Sequence, residues 1–211
     1  MKFSFRIYFV IGILVLVSVV SAWYFYLKPV MIRESFEQDF GGWIEDAEVP
    51  LDPNNPGQYV AWNVSRVTSP AHSGQYSVNL YVDGRQDDGT VWIEKKTVVK
   101  KNSQVQIKIS FEFYSEQESF NVIASVCAYA GISNPEVEAD FTILGQANEA
   151  AGWKHFVHGT TLQTDSTGEA WVAVGITIRW ETEITYNIDD VTVTTSQKLW
   201  IYLSKLGRFS F

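Results

Sequence analysis

Apolar and polar residues alternate along most of this chain. Val105, Ile107, Ile109, Phe111 and Phe113 interleave with Gln104, Gln106, Lys108, Ser110 and Glu112. Val172, Val174, Ile176, Ile178 and Trp180 alternate with Trp171, Ala173, Gly175, Thr177 and Arg179. Tyr76, Val78, Leu80 and Val82 form a third such set, and Val122, Ala124, Val126 and Ala128 a fourth. A period of two places successive side chains on opposite faces of a strand, so each of these segments is expected to be half buried. Shorter strand candidates lie at 59–65, 90–99, 138–144, 153–161 and 184–195. Turn chemistry separates them at Asp52-Pro53-Asn54-Asn55-Pro56-Gly57, Asp83-Gly84, Asp87-Asp88-Gly89, Asn134-Pro135 and Thr167-Gly168. Nine or ten antiparallel strands, each with one apolar face, predict two sheets packed as a sandwich over residues 34–197. There is no internal repeat.

One segment departs from the alternation. Ile7 to Leu27 reads IYFVIGILVLVSVVSAWYFYL, without a single charge. About 20 apolar residues suffice to cross the hydrocarbon of a bilayer. Lys2 and Arg6 precede the run and predict a cytoplasmic N-terminus at 1–6, with everything after the span exported. Val20-Ser21-Ala22 offers small residues to a signal peptidase. The aromatic cluster Trp23 to Tyr26 instead suits an uncleaved signal-anchor whose rings lie at the headgroups. The expected order is therefore a transmembrane anchor at 7–27, a juxtamembrane linker at 28–33, an extracytoplasmic sandwich at 34–197 and a tail at 198–211. That tail, KLWIYLSKLGRFSF, mixes large apolar residues with cations; it reads either as an interfacial helix on the membrane or as a frayed end.

Charge narrows the partners. The segment from Glu34 to Gln197 holds nine basic residues and all 24 acidic ones, a net charge of −15. Such a surface repels phosphate backbones and excludes nucleic acid as the expected partner. The single cysteine, Cys127, has no partner for an intramolecular disulfide, so core packing must hold the exported domain together.

Four local motifs occur in a telling order. Ser35-Phe36-Glu37 precedes Gly41-Gly42-Trp43; Ser73-Gly74-Gln75-Tyr76-Ser77 follows; Gly152-Trp153 lies in mid-domain; Ile188-Asp189-Asp190-Val191 closes the chain. This order resembles the galactose-binding-like jelly-roll superfamily, which includes many carbohydrate-binding modules. The resemblance implies a jelly-roll β-sandwich. It also implies a structural calcium ion between the opening and closing strands, on Glu37 and Asp189, with Asp190 as an alternative and carbonyls near Ser73 and Gly74 contributing. A hard cation of this kind takes six to eight oxygen ligands.

A ligand face is expected where small residues floor a groove. Ala173, Gly175 and Thr177 share a face with Trp171 and Arg179, and Ser125 and Cys127 share one with Tyr129. Were these strands neighbours, Trp171, Arg179 and Tyr129 would wall a shallow groove, with Tyr81 and Asn79 joining from a third strand; the competing expectation is that loops cover this face. Trp62 and Trp180 are in phase with the core, whereas Trp43 and Trp92 are candidates for exposure. Catalytic signatures are absent: there is no nucleophile elbow, zinc-protease motif or phosphate loop. His155 and His158 fall on opposite strand faces, and Glu181 with Glu183 is one acidic pair among many. The expected function is a non-catalytic, membrane-anchored module binding a glycan or cell-envelope polysaccharide. The alternative is an accessory or adhesion subunit that uses the sandwich to contact proteins.

Overall fold

The computed structural model describes residues 5–27, 29–180 and 182–197, with side chains in the helix at 8–18, 20 and 21. The tail at 198–211 and Glu181 therefore lie outside the described residues. The chain opens with helix α1 (Phe5–Leu27) and continues with eleven strands among the described residues. These are β1 (Val30–Glu34), β2 (Ile44–Glu48), β3 (Trp62–Val67), β4 (Ser77–Asp83), β5 (Thr90–Val98), β6 (Gln104–Ser115), β7 (Ala124–Gly131), β8 (Thr142–Gln146), β9 (Gly152–Gln163), β10 (Glu169–Ile178) and β11 (Glu183–Gln197). They form two antiparallel sheets. One runs β3-β4-β11-β6-β9, with β1 also paired to β11; the other runs β2-β5-β10-β7-β8.

The sandwich follows from the alternation. Val105, Ile107, Ile109, Phe111 and Phe113 point inward from β6, and Val172, Val174, Ile176 and Ile178 from β10; all are buried in one core. Phe113 meets Phe156 and Tyr186 at ring-centroid distances of 5.8 and 5.2 Å. Phe36 and Trp43 close the core from the segment before β2.

Several sequence expectations change. Residues 28–33 supply a strand as well as a link, because Val30 pairs with Thr195 and Glu34 with Val191. Residues 138–144 divide into a single 3₁₀ turn (Glu138–Asp140) and the start of β8. Trp180 is 54% exposed, since β10 ends at Ile178 and position 180 falls in the following turn, out of phase with the strand. Trp43 and Trp92 are buried. Among the helix residues whose side chains are described, no helix is long and apolar enough to cross a membrane.

The strand order gives the sandwich two unlike ends. Pairings of Val30 with Thr195, Val105 with Gln197, Gln104 with Gln163 and Val98 with Glu169 gather the entry and exit of the chain at one end. At the other end lie the turns 84–89, 116–123 and 179–182, tied by Gly84 N–H to Thr182 O, Ile178 N–H to Gly89 O and Arg179 N–H to Ile123 O. They are called the terminal and distal ends below.

Gly175 marks the tightest point between β10 and β5. A Cβ there would lie 2.3 Å from Val91 O and 2.6 Å from Trp92 Cβ, and the backbone leaves it nowhere to go. Gly175→Ala is expected to lower unfolding free energy by about 2 kcal/mol or more, read as a reduced urea midpoint with an unchanged slope.

Candidate functional site

β10 and β7 are neighbours, as a shared groove requires: Thr177 pairs with Ser125, Gly175 with Cys127 and Ala173 with Tyr129. On the other side of β10, Trp171 pairs with Lys96, Ala173 with Glu94, Gly175 with Trp92 and Thr177 with Thr90. The outer face of the five-stranded sheet thus has the small-residue floor read from the sequence. That floor is not open. The connection 132–141 between β7 and β8 lies over it, and Trp92, Cys127, Ala173 and Thr177 have no exposed surface.

The covering segment is held by specific chemistry. The Glu138 carboxylate accepts from Thr177 Oγ1, from Thr90 Oγ1 (3.3 Å) and from Arg179 Nη2 (2.7 Å). Burial works against its ionisation, but the Arg179 and Thr177 donors hold the carboxyl below its ordinary range. Phe141 packs on Trp92 at 5.0 Å and on Tyr129 at 6.0 Å, while Tyr129 Oη donates to Ser133 O at 2.8 Å. Beneath it, Trp92 Nε1 donates to Glu94 Oε2 at 2.8 Å; burial pushes the Glu94 carboxyl up despite that bond. Cys127 lies on this floor, and burial raises its thiol far above the reactive range.

Of the five expected ligand residues, Trp171, Arg179 and Tyr129 share this face. Arg179 and Tyr129 are engaged with the covering segment, and Trp171 stands nearer the terminal end. Tyr81 and Asn79 sit on β4 in the other sheet, paired with Thr185 and Asn187, so the structure does not bring them to this groove. The sequence does not show which sheet each strand joins.

An open groove survives beside the covering segment. It has a volume of about 320 Å³ and is lined by Ala47, Glu48, Val49, Tyr59, Trp62 and Glu136. Tyr59 is 67% exposed and bridges to Leu51 at the mouth of the β2–β3 connection. Trp62 packs partly against the core and also lines the groove. The alternation marked Trp62 only as a core residue, and Tyr59 entered only as the first residue of the 59–65 strand candidate, whereas β3 begins at Trp62.

The residues expected to hold calcium do converge. Glu37 accepts from the N–H of Gln75 (3.0 Å) and of Tyr76 (3.0 Å). Asp189 Oδ2 accepts from the N–H of His72 (2.9 Å) and Ser73 (3.0 Å), and Oδ1 from that of Asp190 (2.7 Å). Asp190 accepts from Ser73 Oγ at 2.6 Å and meets His72 Nδ1 at 2.7 Å. Gly74, at φ +62°, lets the Glu37 carboxylate come close, since a Cβ would lie 2.4 Å from its Cδ. Arg66 braces the same segment by donating to the carbonyls of Phe36 (2.5 Å) and Glu37 (2.9 Å) while lying over the Tyr76 ring.

This arrangement does not fit a calcium ion. The carboxylate oxygens are turned to N–H and O–H donors, whereas a hard cation needs those lone pairs directed at itself. Among the described residues, no group of three or more His, Cys, Asp or Glu is placed to hold a metal. Donors and carboxylates join the opening segment, the 72–76 turn and β11.

The hydrogen bond to Asp190 raises the His72 imidazole above the ordinary histidine range, and burial pushes Asp189 up. Both groups therefore bind a proton more tightly when folded. For His72 the associated stability is full below about pH 6.5 and is lost as pH rises through its folded value. The melting temperature is expected to be unchanged by calcium or by EDTA. It should fall as pH is taken from about 6 to about 8, with a flatter profile in His72→Gln.

Comparison with known proteins places the fold. No family model matches the chain, and no curated protein does. Among solved structures, one concerning the promiscuous specificity of carbohydrate-binding modules from the β-sandwich superfamily has a TM-score of 0.50 at 15% identity. The match covers 75% of this chain and 59% of that one, so this chain spans less than two thirds of its length. The CBM22-1 xylan-binding domain from Paenibacillus barcinonensis gives 0.47 at 14% identity, covering 80% of this chain and 95% of that one. A cyclase from Fischerella gives 0.45 at 15% identity, covering 81% and 98%. The chain shares its two-sheet β-sandwich fold with the first of these structures.

Proposed function

We propose that this protein is a non-catalytic glycan-binding module, held at a membrane by the Ile7–Leu27 segment with its sandwich outside the cytoplasm. The observation that carries the binding reading is the groove at Tyr59 and Trp62. An exposed phenol ring in a groove also lined by an indole offers the flat apolar surface on which a sugar ring stacks, and polar groups at the rim supply orientation. Those rim groups are Glu48 and Glu136. Asp46, paired with Trp92, is close enough to Glu136 to be affected by its charge, although burial is the larger cause of its raised pKa. Two carboxylates accept hydrogen bonds from sugar hydroxyls or from an ammonium group, and they repel uronate chains. The fold alone does not fix this ligand class; the groove residues and their charge support it.

The anchor rests on the sequence: 21 uncharged residues behind two cations. A second reading has its own observation. Phe120 is fully exposed and Trp180 more than half exposed, both on turns of the distal end. Large apolar side chains on one end favour contact with another protein over a sugar.

Calorimetric titration of the detergent-solubilised full chain, against neutral, amino-bearing and uronic oligosaccharides, separates the two. Binding of a neutral or amino-bearing chain is expected, with Tyr59→Ala weakening it about tenfold, the effect of about 1.4 kcal/mol. Uronates should not bind. Affinity unchanged in Tyr59→Ala would remove the groove from consideration, and no heat with any sugar would leave the protein-contact reading.

A further inference from the structure

We propose that the terminal end of the sandwich lies flat against an anionic lipid surface, through a patch made of Val98, Lys100, Lys101, Lys96 and Trp171. This rests on the reading of Ile7–Leu27 as a membrane anchor, and adds to it a fixed orientation of the folded domain.

Chain length sets the constraint. Helix α1 ends at Leu27 and β1 begins at Val30, so only Lys28 and Pro29 separate them. Three Cα-to-Cα steps reach at most about 11 Å. A helix that ends at the headgroups therefore holds the start of β1 within the headgroup layer or just above it. Val30 pairs with Thr195, two residues before β11 ends, so the exit of the sandwich is held at the same height. The β5–β6 turn reaches this level too, because Val98 pairs with Glu169 and Gln104 with Gln163.

What the turn presents there suits a lipid surface. Val98 is 77% exposed, an apolar side chain at the end of β5. Lys100 and Lys101 follow it, and Lys96 precedes it on the same strand, with its Nζ 5.9 Å from the centre of the Trp171 ring. Three of the nine basic residues between Glu34 and Gln197 are thus gathered at one strand end. The turn is braced: Thr164 Oγ1 donates to Lys100 O at 2.6 Å and accepts from Ser103 N–H at 3.0 Å. Two carboxylates, Glu169 and Asp165, also lie at this level, fewer than the three cations. Glu169 pairs with Lys96 at 3.1 Å, and Asp165 accepts from Thr167 and Gly168 within its own turn.

The distal end is opposite in character. Its turns carry Asp87, Asp88, Glu116 and Glu118 against Arg85 and Arg179, with Phe120 and Trp180 among them. An excess of cations at one end and of carboxylates at the other gives the domain a charge polarity along its strands, and an anionic surface selects the terminal end.

Site-directed spin labelling of the full chain tests the orientation. Cys127 is buried, so a thiol reagent labels only an introduced cysteine. Val98→Cys and Phe120→Cys are each labelled with a nitroxide and reconstituted into phosphatidylcholine vesicles containing phosphatidylglycerol. Relaxation by lipid-dissolved oxygen, relative to a water-soluble nickel chelate, is expected to be severalfold higher at 98 than at 120. Lys100→Glu with Lys101→Glu should reduce that difference. Equal, water-like values at both positions, in protein that stays with the vesicles through alkaline carbonate, would overturn the docked orientation and leave the anchor standing. Release of the protein by carbonate would overturn the anchor, and the orientation with it.

Discussion

Insertion of the last strand between two earlier ones is the interaction on which this fold depends. β11 pairs with β4 on one side and β6 on the other, then continues past β4 to take up β1. Until it is in place the six-stranded sheet is three unconnected pieces, β3-β4, β6-β9 and β1, and the core side chains of β4 and β6 have no common layer. Its register shifts between Asp189 and Thr192, with Asp190 at φ +49°. That irregularity swings two consecutive carboxylates toward the 72–76 turn, which an uninterrupted alternation would not do. Closing the sheet and fastening the opening segment are thus one event. Because β11 lies far along the chain from β1, β4 and β6, such assembly is slow relative to local pairing.

The alternation of β4, β6, β7 and β10 was legible because it reflects the burial that holds them. The short edge strands β1 and β2 were not, since their exposure follows no clean period of two. The neighbouring of β7 and β10 was also within reach, through matching runs of small residues. What lies on that small floor was not. Glu138, Phe141 and Asn134 belong to an irregular connection, and nothing local marks Glu138 as the partner of Arg179, Thr90 and Thr177. The same limit explains the calcium expectation. The sequence shows Glu37, Asp189 and Asp190 as oxygen donors, but only coordinates show that backbone N–H groups of the turn meet them first.

Function and fold separate along the length of the sandwich. Entry and exit of the chain share one end with the basic turn. The Tyr59 groove flanks Glu48, whose partner Thr90 begins β5 at the distal end. On the proposed anchor, a domain arranged in this way would present its aromatic groove outward from the membrane, with a negatively charged body in between. The buried polar contacts under the 132–141 connection serve that arrangement by filling the face between the two ends.

The antiparallel pairing of β1 with β11, with both free ends leaving on the same side, also decides how the domain bears load. Pulling the two chain ends apart would open the β1–β11 ladder one hydrogen bond at a time, like a zip, and needs little force. Tension between the distal groove and the N-terminal attachment runs along the strands instead. It then shears β1 against β11, loading all five paired positions from Val30 to Glu34 together. The same short ladder is therefore weak in one direction and strong in the direction in which a tethered module would be pulled.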